Sequence, residues 1–342
     1  MIELLKPLAR GQTLTETQAA AAMRTIMSGA ATPAQISGLA MAMAARGETV
    51  AEIAGMALAA REFATPLAIG SRALDTCGTG GDGLNTFNIS TTAALVAAAC
   101  GVPVAKHGNR SVSSACGSAD VLEELGVRVD IDPQVAAACF DEAGITFLYA
   151  PVFHPAFRHA AQPRREMGAR TVFNLLGPLC NPANAEYRTL GVPTAPLVTV
   201  MAETLNRLGV RRALVFHSED GMDELSMTAP AVLCEVADGQ CRPSRLDPAE
   251  LGLSPAGPGA LTGGDRQANA AIIRRVLSGE RGPARDVVLL NAAAALRVAE
   301  RVADWQEGLE LAAAAIDNGA VTAVLELWAK VSQRPVTEEV PV

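Results

Sequence analysis

The chain has 342 residues, of which 49% are hydrophobic, and it carries a formal net charge of −8. This length suits one large domain or two unequal ones, and the apolar fraction suffices for a sizeable core. The acidic balance argues against a broad electrostatic surface for nucleic acid or anionic lipid, although it allows a local basic site.

Cysteine and histidine usage indicates an intracellular protein without structural zinc. The seven cysteines are odd in number and form no CxxC pair. Because the sequence also shows no signal-peptide pattern, we expect reduced thiols and a cytoplasmic location. The four histidines are scattered and form no zinc pattern. Alanine-rich stretches such as residues 91–99 are too short to span a bilayer, so no membrane association is expected.

The first 65 or so residues predict helices that form a compact unit. Three residue pairs fit a capping box, in which a hydroxyl and a later side chain satisfy free backbone N–H groups. These pairs are Thr13 with Glu16, Thr32 with Gln35, and Thr49 with Glu52. Ile36, Leu39, Ala40 and Met43 share one face at helical spacing, which predicts a buried side.

A different pattern begins near residue 73, where short apolar runs alternate with helical stretches. Such alternation is typical of βαβ units and predicts an α/β fold with a mostly parallel central sheet. The runs cover residues 73–75, 102–105, 146–149, 189–192 and 213–216. An Asp238-Gly239 turn between two further runs predicts an added hairpin. Residues 266–330 again predict helices.

A glycine-rich loop at residues 75–83 follows the first predicted strand and precedes a helix. Glycines let the backbone approach a phosphate closely, and a helix N-terminus favours an anion. Gly78, Gly80 and Gly83 match the dinucleotide fingerprint GxGxxG by letter. That fingerprint needs an acidic residue about 20 positions further on, and the end of the next predicted strand offers Lys106 instead. A Walker A loop is excluded because this segment lacks the Gly-Lys-Ser/Thr of that motif. A plain glycine turn remains the alternative for this loop alone.

A second polar loop, residues 106–114, follows the next predicted strand. Its Lys-His-Gly-Asn-Arg-Ser-Val-Ser-Ser sequence offers donors suited to phosphate and ribose. A solvated surface loop is the alternative. Because ligands of open α/β sheets bind at the carboxyl ends of strands, we expect both loops to meet at one edge.

Two further segments supply candidate ligands. Asp223 and Glu224 follow the run at 213–216, and adjacent carboxylates at a strand end suit Mg²⁺, although such pairs are also common on surfaces. A predicted helix carries Arg164 and Arg165, either of which could grip a carboxylate bidentately. Solvation, or pairing with a nearby acid such as Glu166, is the alternative, and the sequence alone does not decide between them.

Each of the four histidines could act as an acid or a base. A polar structural contact is the safer interpretation for a single histidine, and none is nominated as an essential catalytic base. The four are His107, His154, His159 and His217.

Taken together, these segments resemble the anthranilate phosphoribosyltransferase family. The resemblance rests on the glycine loop 78–82, the loop 106–110, the Arg164 helix leading into residues 171–182, and the pair Asp223-Glu224, in that order and spacing. It extends over nearly the whole chain, including residues 26–35 and 263–265. The departures are mild: cysteines stand beside motif positions, and Ser218 stands where such chains often have glycine.

The resemblance implies a fold of the nucleoside phosphorylase and phosphoribosyltransferase type, with a small N-terminal helical domain beside a large α/β domain. Residues 1–68 would form the helical domain, joined by helices from about 155–185, and would mediate a homodimer. Residues 69–342 would form the α/β domain that binds the phosphoribosyl donor, with the active site in the cleft between the two.

The resemblance also implies the reaction and its ligands. The enzyme would transfer the phosphoribosyl group of phosphoribosyl pyrophosphate (PRPP) to the amine of anthranilate in tryptophan biosynthesis, with up to two Mg²⁺ ions. Anthranilate would contact Gly78, Asn109 and Arg164, and the metal would be held by Ser90, Asp223 and Glu224. The residues implied for PRPP are Gly78, Gly81, Asp82, Thr86, Asn88, Ile89, Ser90, Thr91, Lys106, His107, Gly108, Asn109, Arg110, Ser111, Val112, Ser113, Ser114 and Ser118.

Two rival functions have related architectures. A pyrimidine nucleoside phosphorylase would use free phosphate and a nucleoside, but the complete glycine loop, the Asn109 loop and the acidic pair favour the transferase. Nucleic-acid-binding relatives should lose motif ligands and gain a basic cleft. This chain keeps the ligands and is acidic, so no nucleic-acid partner is expected.

Overall fold

The structure is a computed structural model that describes residues 1–67, 69–70, 72–111 and 115–335. The chain opens with helices α1 (Ile2–Leu8), α2 (Glu16–Met27), α3 (Pro33–Arg46) and α4 (Val50–Glu62). Their apolar faces are buried against one another, which accounts for the helical periodicity of the sequence.

Capping boxes begin three of these helices, but the first is not the predicted one. Helix α2 is capped by Thr15 with Gln18. The pairing of Thr13 with Glu16 was wrong, because Thr15 is the residue with extended backbone directly before the helix. The boxes of α3 and α4 are as predicted. Glu52 also accepts a hydrogen bond from the backbone N of Leu14 at 2.8 Å, which ties the start of α4 to the chain before α2.

A seven-stranded sheet dominates the rest of the chain, with strand order β3-β2-β1-β4-β5-β6-β7. The strands are β1 (Leu74–Gly78), β2 (Val104–Gly108), β3 (Ile145–Tyr149), β4 (Tyr187–Gly191), β5 (Arg212–Ser218), β6 (Ala231–Ala237) and β7 (Gln240–Leu246). Strands β1 to β5 are parallel, and β6 and β7 form the antiparallel hairpin. The predicted mostly parallel sheet with an added hairpin is therefore confirmed.

Helices cover both faces of this sheet. The remaining helices are α5 (Ile89–Ala99), α6 (Ser118–Glu124), α7 (Pro133–Ala143), α8 (Ala150–Phe153), α9 (Arg158–Met167), α10 (Val172–Leu176), α11 (Ala195–Arg207), α12 (Arg266–Leu277), α13 (Pro283–Val298), α14 (Trp305–Asp317) and α15 (Ala320–Ser332). Along β5, Leu214 and Phe216 join one buried cluster while Ala213 and Val215 join the other, as the alternation of a strand requires.

The second cluster also contains the N-terminal helices together with α9 and α10. Helix α9 contacts α2 and α3, and α10 contacts α3 and α4. The chain therefore leaves the sheet after β3, packs two short helices against the N-terminal unit, and returns as β4. This excursion brings Arg164, on α9, to the junction of the two parts of the chain.

No single helix in the described stretches has the length and apolar character to cross a membrane; only α14 and α15, bent by 66° at their junction, pass such a test as a pair.

Candidate active site

The first feature of the site is the point where the strand order reverses. Connections from β1 run first to β2 and β3 and then back to β4 on the other side of β1. A crevice forms at the carboxyl ends of strands at such a switch point, and it is the usual ligand site of an open α/β sheet. Strand β1 ends at Gly78 and β4 at Gly191, and these two residues are partners in the sheet register.

The segment at Asp223 lies directly over these two strand ends. A Cβ built on Gly191 would lie 1.6 Å from the carbonyl oxygen of Asp223, and one on Gly78 would lie 2.7 Å from its Oδ2. Only glycine leaves room for so close an approach. The two glycines thus allow the acidic pair to reach the glycine loop, across about 140 positions of sequence.

Both carboxylates of the pair accept hydrogen bonds from backbone N–H groups of the predicted phosphate site. Asp223 Oδ2 accepts from the N of Gly80 at 2.8 Å, and Glu224 Oε1 accepts from the N of Ser90 at 3.1 Å. Burial, and the neighbouring charge of Glu224, raise the pKa of Asp223 to about 8. Burial raises the pKa of Glu224 to about 7, against the opposing effect of Lys106.

The chemistry of this donor set fits a divalent cation. The charge of Asp82 adds to the repulsion that raises the pKa of Asp223, and Asp82 Oδ2 is buried without a hydrogen-bond partner. Converging carboxylates of this kind are stabilised by a positive ion. Within the described ranges, no three or more His, Cys, Asp or Glu side chains form a ready-made metal cluster. Mg²⁺ fits such an arrangement, since it keeps several waters and often takes only one or two carboxylates.

Lys106 is buried below the carboxylates of Asp223 and Glu224 rather than exposed at the surface. Its ammonium donates to the carbonyl oxygen of Thr76 and to Thr76 Oγ1 at 3.3 Å, and lies 3.5 Å from Ser90 Oγ. Burial lowers the pKa of Lys106, whereas the nearby carboxylates of Asp75 and Glu224 raise it. The side chain therefore places a positive charge under the start of α5.

His107 and its neighbour His154 are held as neutral structural groups. Burial lowers the pKa of His107 to about 4 and that of His154 to about 3. In its neutral form, His107 donates from Nδ1 to the carbonyl oxygen of Gly177 at 2.9 Å, and His154 donates from Nε2 to that of Cys180 at 2.6 Å. His217 Nδ1 lies 3.0 Å from the carbonyl oxygen of Val192.

A buried polar network anchors the strands below the site. Asn181 Nδ2 donates to Asp75 Oδ2 at 2.8 Å and to the carbonyl oxygen of Ala105 at 2.7 Å. Arg188 lies 3.8 Å from the same Asp75 carboxylate, and the N of His107 donates to Asp75 Oδ1 at 3.1 Å. The network joins β1, β2 and β4 to the segment after α10. It therefore fixes the position of the strand ends from which the two loops at residues 78–83 and 106–111 begin.

The second loop is ordered by acids of α6. The Arg110 guanidinium pairs with Glu123 at 2.6 Å and with Asp120 at 3.2 Å, and these bonds raise its pKa. Asp120 Oδ2 also accepts from the backbone N of Ser111 and of Gly117, at 3.1 and 2.9 Å. Asn109 is exposed. The predicted ligands Val112, Ser113 and Ser114 lie outside the described residues.

The start of α5 is supported from the far end of the sequence. Asn88 Oδ1 accepts from Nδ2 of the buried Asn269 at 3.0 Å, and Thr86 forms an isolated antiparallel bridge with Thr262. Ser118 Oγ donates to the carbonyl oxygen of Asn109 at 3.3 Å. Two other residues predicted to bind PRPP, Ile89 and Thr91, are buried.

Arg164 is half-buried without an acidic partner in the described stretches. Its guanidinium lies 5.8 Å from the centre of the Phe173 ring, and burial lowers its pKa. Glu166, the acid considered as its partner from sequence, instead accepts from Gln162 at 2.8 Å. The alternative of an Arg164–Glu166 pair is therefore wrong. Arg165 is exposed.

Comparison with known proteins agrees with this geometry. The sequence matches the glycosyl transferase family helical bundle domain over residues 2–64 and its a/b domain over residues 70–322. It is 67% identical to "anthranilate phosphoribosyltransferase 2" of Streptomyces coelicolor over 96% of this chain and 98% of that one. The fold matches a crystal structure of anthranilate phosphoribosyltransferase from Thermus thermophilus with TM-score 0.92 and 45% identity, over 97% and 99% of the two chains.

The chain belongs to the anthranilate phosphoribosyltransferase family.

A further match concerns ligands. A Saccharomyces cerevisiae anthranilate phosphoribosyltransferase solved in complex with PRPP and Mg aligns with TM-score 0.88 and 26% identity, over 97% of each chain. The family resemblance inferred from the motifs is thereby confirmed.

Arg170 is a site residue that sequence reasoning missed. It follows α9 by three positions, and its Nη1 donates to the carbonyl oxygen of Gly80 at 2.7 Å, with Nη2 3.5 Å from that of Thr79. The charges of Asp223 and Asp82 oppose the lowering of its pKa by burial. The available signal was its position next to the motif that begins at Thr171. In this member of the family, one short segment thus carries Arg164 and a contact to the glycine loop.

Asn291 of α13 is a second residue that was missed. Its Oδ1 accepts from the N of Leu225 at 3.0 Å, and its Nδ2 donates to the carbonyl oxygen of Leu225 at 2.9 Å. Because Leu225 directly follows Glu224, this buried amide fixes the backbone that presents the acidic pair. A lone Asn within an alanine-rich helix gives no sequence signal for such a role.

Proposed function

We propose that this chain transfers the phosphoribosyl group of PRPP to the amine of anthranilate, which yields N-(5-phosphoribosyl)anthranilate and pyrophosphate. The reaction makes it a pentosyltransferase of tryptophan biosynthesis. The observation that carries the proposal is the approach of Asp223 and Glu224 to the glycine loop and the start of α5. This approach supports the proposal, because carboxylates of the kind that hold Mg²⁺ lie next to backbone N–H groups suited to a phosphate.

The donor site is proposed to follow the two loops and the start of α5. Its backbone N–H groups at Gly80 and Ser90 are now bonded to carboxylates, and a pyrophosphate would compete for them as a stronger multivalent acceptor. The residues proposed to bind PRPP are Gly78, Gly81, Asp82, Thr86, Asn88, Ile89, Ser90, Thr91, the loop from Lys106 to Ser114, and Ser118. The Arg110 guanidinium is paired with Glu123. We therefore propose that Arg110 contributes to PRPP binding by holding the loop in shape.

Ser90, Asp223 and Glu224 would hold Mg²⁺, with up to two ions. Bound there, the metal would supply positive charge against the oxygens of the pyrophosphate. The raised pKa values of Asp223 and Glu224 support this assignment. Burial and, less strongly, neighbouring carboxylates disfavour the ionised forms, and a bound cation would stabilise them.

The chain's own groups act on the charge that develops during transfer. As the bond from ribose C1 to pyrophosphate breaks, positive charge grows on the ribose ring and negative charge on the leaving group. Loop N–H groups and the buried ammonium of Lys106 stabilise the negative charge, and holding both reactants in place contributes the rest. The anthranilate amine is neutral near pH 7 and attacks without prior deprotonation, so the reaction needs no strong base.

Anthranilate is proposed to contact Gly78, Asn109 and Arg164. Arg164 is a half-buried cation without an acidic partner in the described ranges, which is what a substrate carboxylate requires. Since Arg164 lies on α9 and the donor loops on the sheet, movement between the two parts of the chain would complete the site. Small-angle scattering with and without both substrates tests this, and the absence of compaction would count against it.

The domain division and assembly are also proposals. We assign residues 1–68, joined by helices from about 155–185, to a helical domain that mediates a homodimer, and residues 69–342 to the donor-binding domain. Large apolar side chains stay exposed on the helical part, with Ile2 at 62%, Met41 at 42% and Leu58 at 39%. Light scattering after size exclusion tests the dimer, and a monomer at micromolar concentration would refute it. We propose the cytoplasm as the compartment.

The decisive experiment follows the fluorescence of anthranilate with PRPP and Mg²⁺, with each component omitted in turn. We expect the signal to fall only when all three are present with the protein. If folded protein leaves the signal unchanged, the transferase proposal fails, and phosphorolysis of pyrimidine nucleosides with free phosphate is the next reaction to assay. A gel shift at physiological salt tests nucleic-acid binding.

A further inference from the structure

A cavity lies at the amino ends of the strands, at the opposite end of the sheet from the substrate loops. It has a volume of about 390 Å³, and its wall includes Arg212, Arg297, Arg301, Glu300 and Glu307. Arg212 is the first residue of β5, whereas the acidic pair follows the end of that strand. The cavity is therefore separate from the active site, and its size falls in the range of small-molecule pockets.

Arg297, at the end of α13, is the distinctive group in this wall. Its guanidinium carbon lies 4.6 Å from the centre of the Trp305 ring, which holds the side chain flat. Burial lowers the pKa of Arg297 and the neighbouring charge of Arg212 adds to this, whereas the charges of Glu235 and Asp304 oppose it. Within the described part of the chain the Arg297 guanidinium forms no hydrogen bond or ion pair. The Nε atoms of Arg297 and Arg212 are both buried without an acceptor. Buried donors left unsatisfied in one cavity wall point to an acceptor that enters from outside.

The other charged groups of the wall already have partners. Arg212 pairs with Glu235 at 2.7 Å and with Glu300 at 3.2 Å. Arg301 Nε donates to the carbonyl oxygen of Cys100 at 3.0 Å, and Glu307 Oε2 accepts from the N of Ala303 at 2.8 Å.

The charge balance selects the kind of ligand. Glu235 and Glu300 balance the charges of Arg211 and Arg212. The other charged groups of the wall are Arg297, Arg301 and Glu307, which leaves a balance of +1. A monoanion matches this balance, whereas a phosphate dianion would meet repulsion from Glu300 and Glu307. A planar carboxylate also matches the bidentate geometry of a guanidinium.

We propose that this cavity binds a small organic monocarboxylate. Arg297 grips the carboxylate from its position on Trp305, Arg301 adds a second positive charge at the rim, and Glu300 and Glu307 exclude dianions. This binding site is independent of the transferase reaction and involves none of the residues assigned to it.

Equilibrium dialysis with benzoate tests the site, and R297Q, R301Q and R10Q are the variants. Arg10 is an exposed arginine of the N-terminal part, so R10Q controls for loss of one positive charge. We expect wild type and R10Q to bind one more benzoate per chain than R297Q, with a dissociation constant on the order of 1 mM. R301Q, which leaves the buried wall intact, should weaken that binding about tenfold. Benzoate bound at the anthranilate site would be the same in all four proteins.

Intrinsic fluorescence locates the lost site, because the chain has two tryptophans and the other, Trp328, is fully buried. A saturable change in emission with benzoate should occur in wild type and R10Q and be absent in R297Q. Equal benzoate binding by wild type and R297Q overturns the proposal, whatever the fluorescence does. Tighter binding of inorganic phosphate than of benzoate at equal ionic strength, in the part lost in R297Q, overturns the monocarboxylate assignment.

Discussion

Replacing Arg164 with alanine should raise the KM for anthranilate far more than it lowers kcat. A hydrogen bond to a charged group contributes about 1.5–3 kcal/mol, which corresponds to about a 10- to 150-fold rise in KM at 1.4 kcal/mol per factor of ten. The upper part of this range applies because the guanidinium is half-buried and has no acid to neutralise it in the described stretches. The contact with Phe173 also disappears, at a cost of about 0.5–1 kcal/mol in the free energy of unfolding.

The assay is the loss of anthranilate fluorescence at saturating PRPP and Mg²⁺, over a range of anthranilate concentrations. R165A is the matched control, since Arg165 is the adjacent, exposed arginine of the same helix. It should leave the KM for anthranilate within about twofold of wild type, as surface substitutions usually do. A fall in kcat with unchanged KM in R164A, or an equal rise in KM in R165A, would refute the assignment of Arg164 to the substrate carboxylate.

Three further predictions concern the other side of the site. The double change D223N and E224Q should raise the Mg²⁺ concentration needed for half-maximal turnover, and identical Mg²⁺ titrations for variant and wild type would contradict the metal assignment. R170Q should raise the KM for PRPP about tenfold by releasing the carbonyl oxygen of Gly80, with partial rescue by R170K; a change confined to the KM for anthranilate would show that Arg170 serves the other substrate. In the metal-free protein the pKa values of Asp223 and Glu224 are raised to about 8 and about 7, and their ionised forms bind the cation. Affinity for Mg²⁺ should therefore be full above pH 8 and fall by about a factor of ten per pH unit for each carboxylate that must lose a proton below its pKa; calorimetric titration that gives equal affinity at pH 6 and pH 8.5 would exclude those raised values.

Much of the architecture was readable from local sequence patterns. Helical spacing and capping residues predicted the N-terminal helices, and alternating short apolar runs predicted the parallel strands. The turn at Asp238 and Gly239 predicted the hairpin, and both residues have positive φ. These features depend on neighbours a few positions apart, so the chain itself carries their signal. The error at Thr13 was local too: two threonines lie two positions apart, and only the backbone geometry shows which one caps the helix.

For the active site, the sequence predicted the motifs but not the contacts between them. The sequence predicted that the glycine loop, the second loop and the acidic pair would gather at the carboxyl ends of strands. That Asp223 passes over the ends of β1 and β4 depends on Gly191, a residue to which the sequence assigned no role. The order of the strands, which brings β1 and β4 together, comes from the packing of the whole sheet.

Residue types and their spacing along the chain determined the elements, the substrate loops and the family. The tertiary structure alone decided which charges are paired. It gave Arg110 two acids of α6, left Arg164 without the neighbour that sequence offered, set Arg170 on the carbonyl oxygen of Gly80, and placed Asn291 behind the acidic pair. Each of these contacts depends on the side chain's direction and burial, and most join residues far apart in sequence. Their energies exist only once the chain has folded, so no local pattern can encode them.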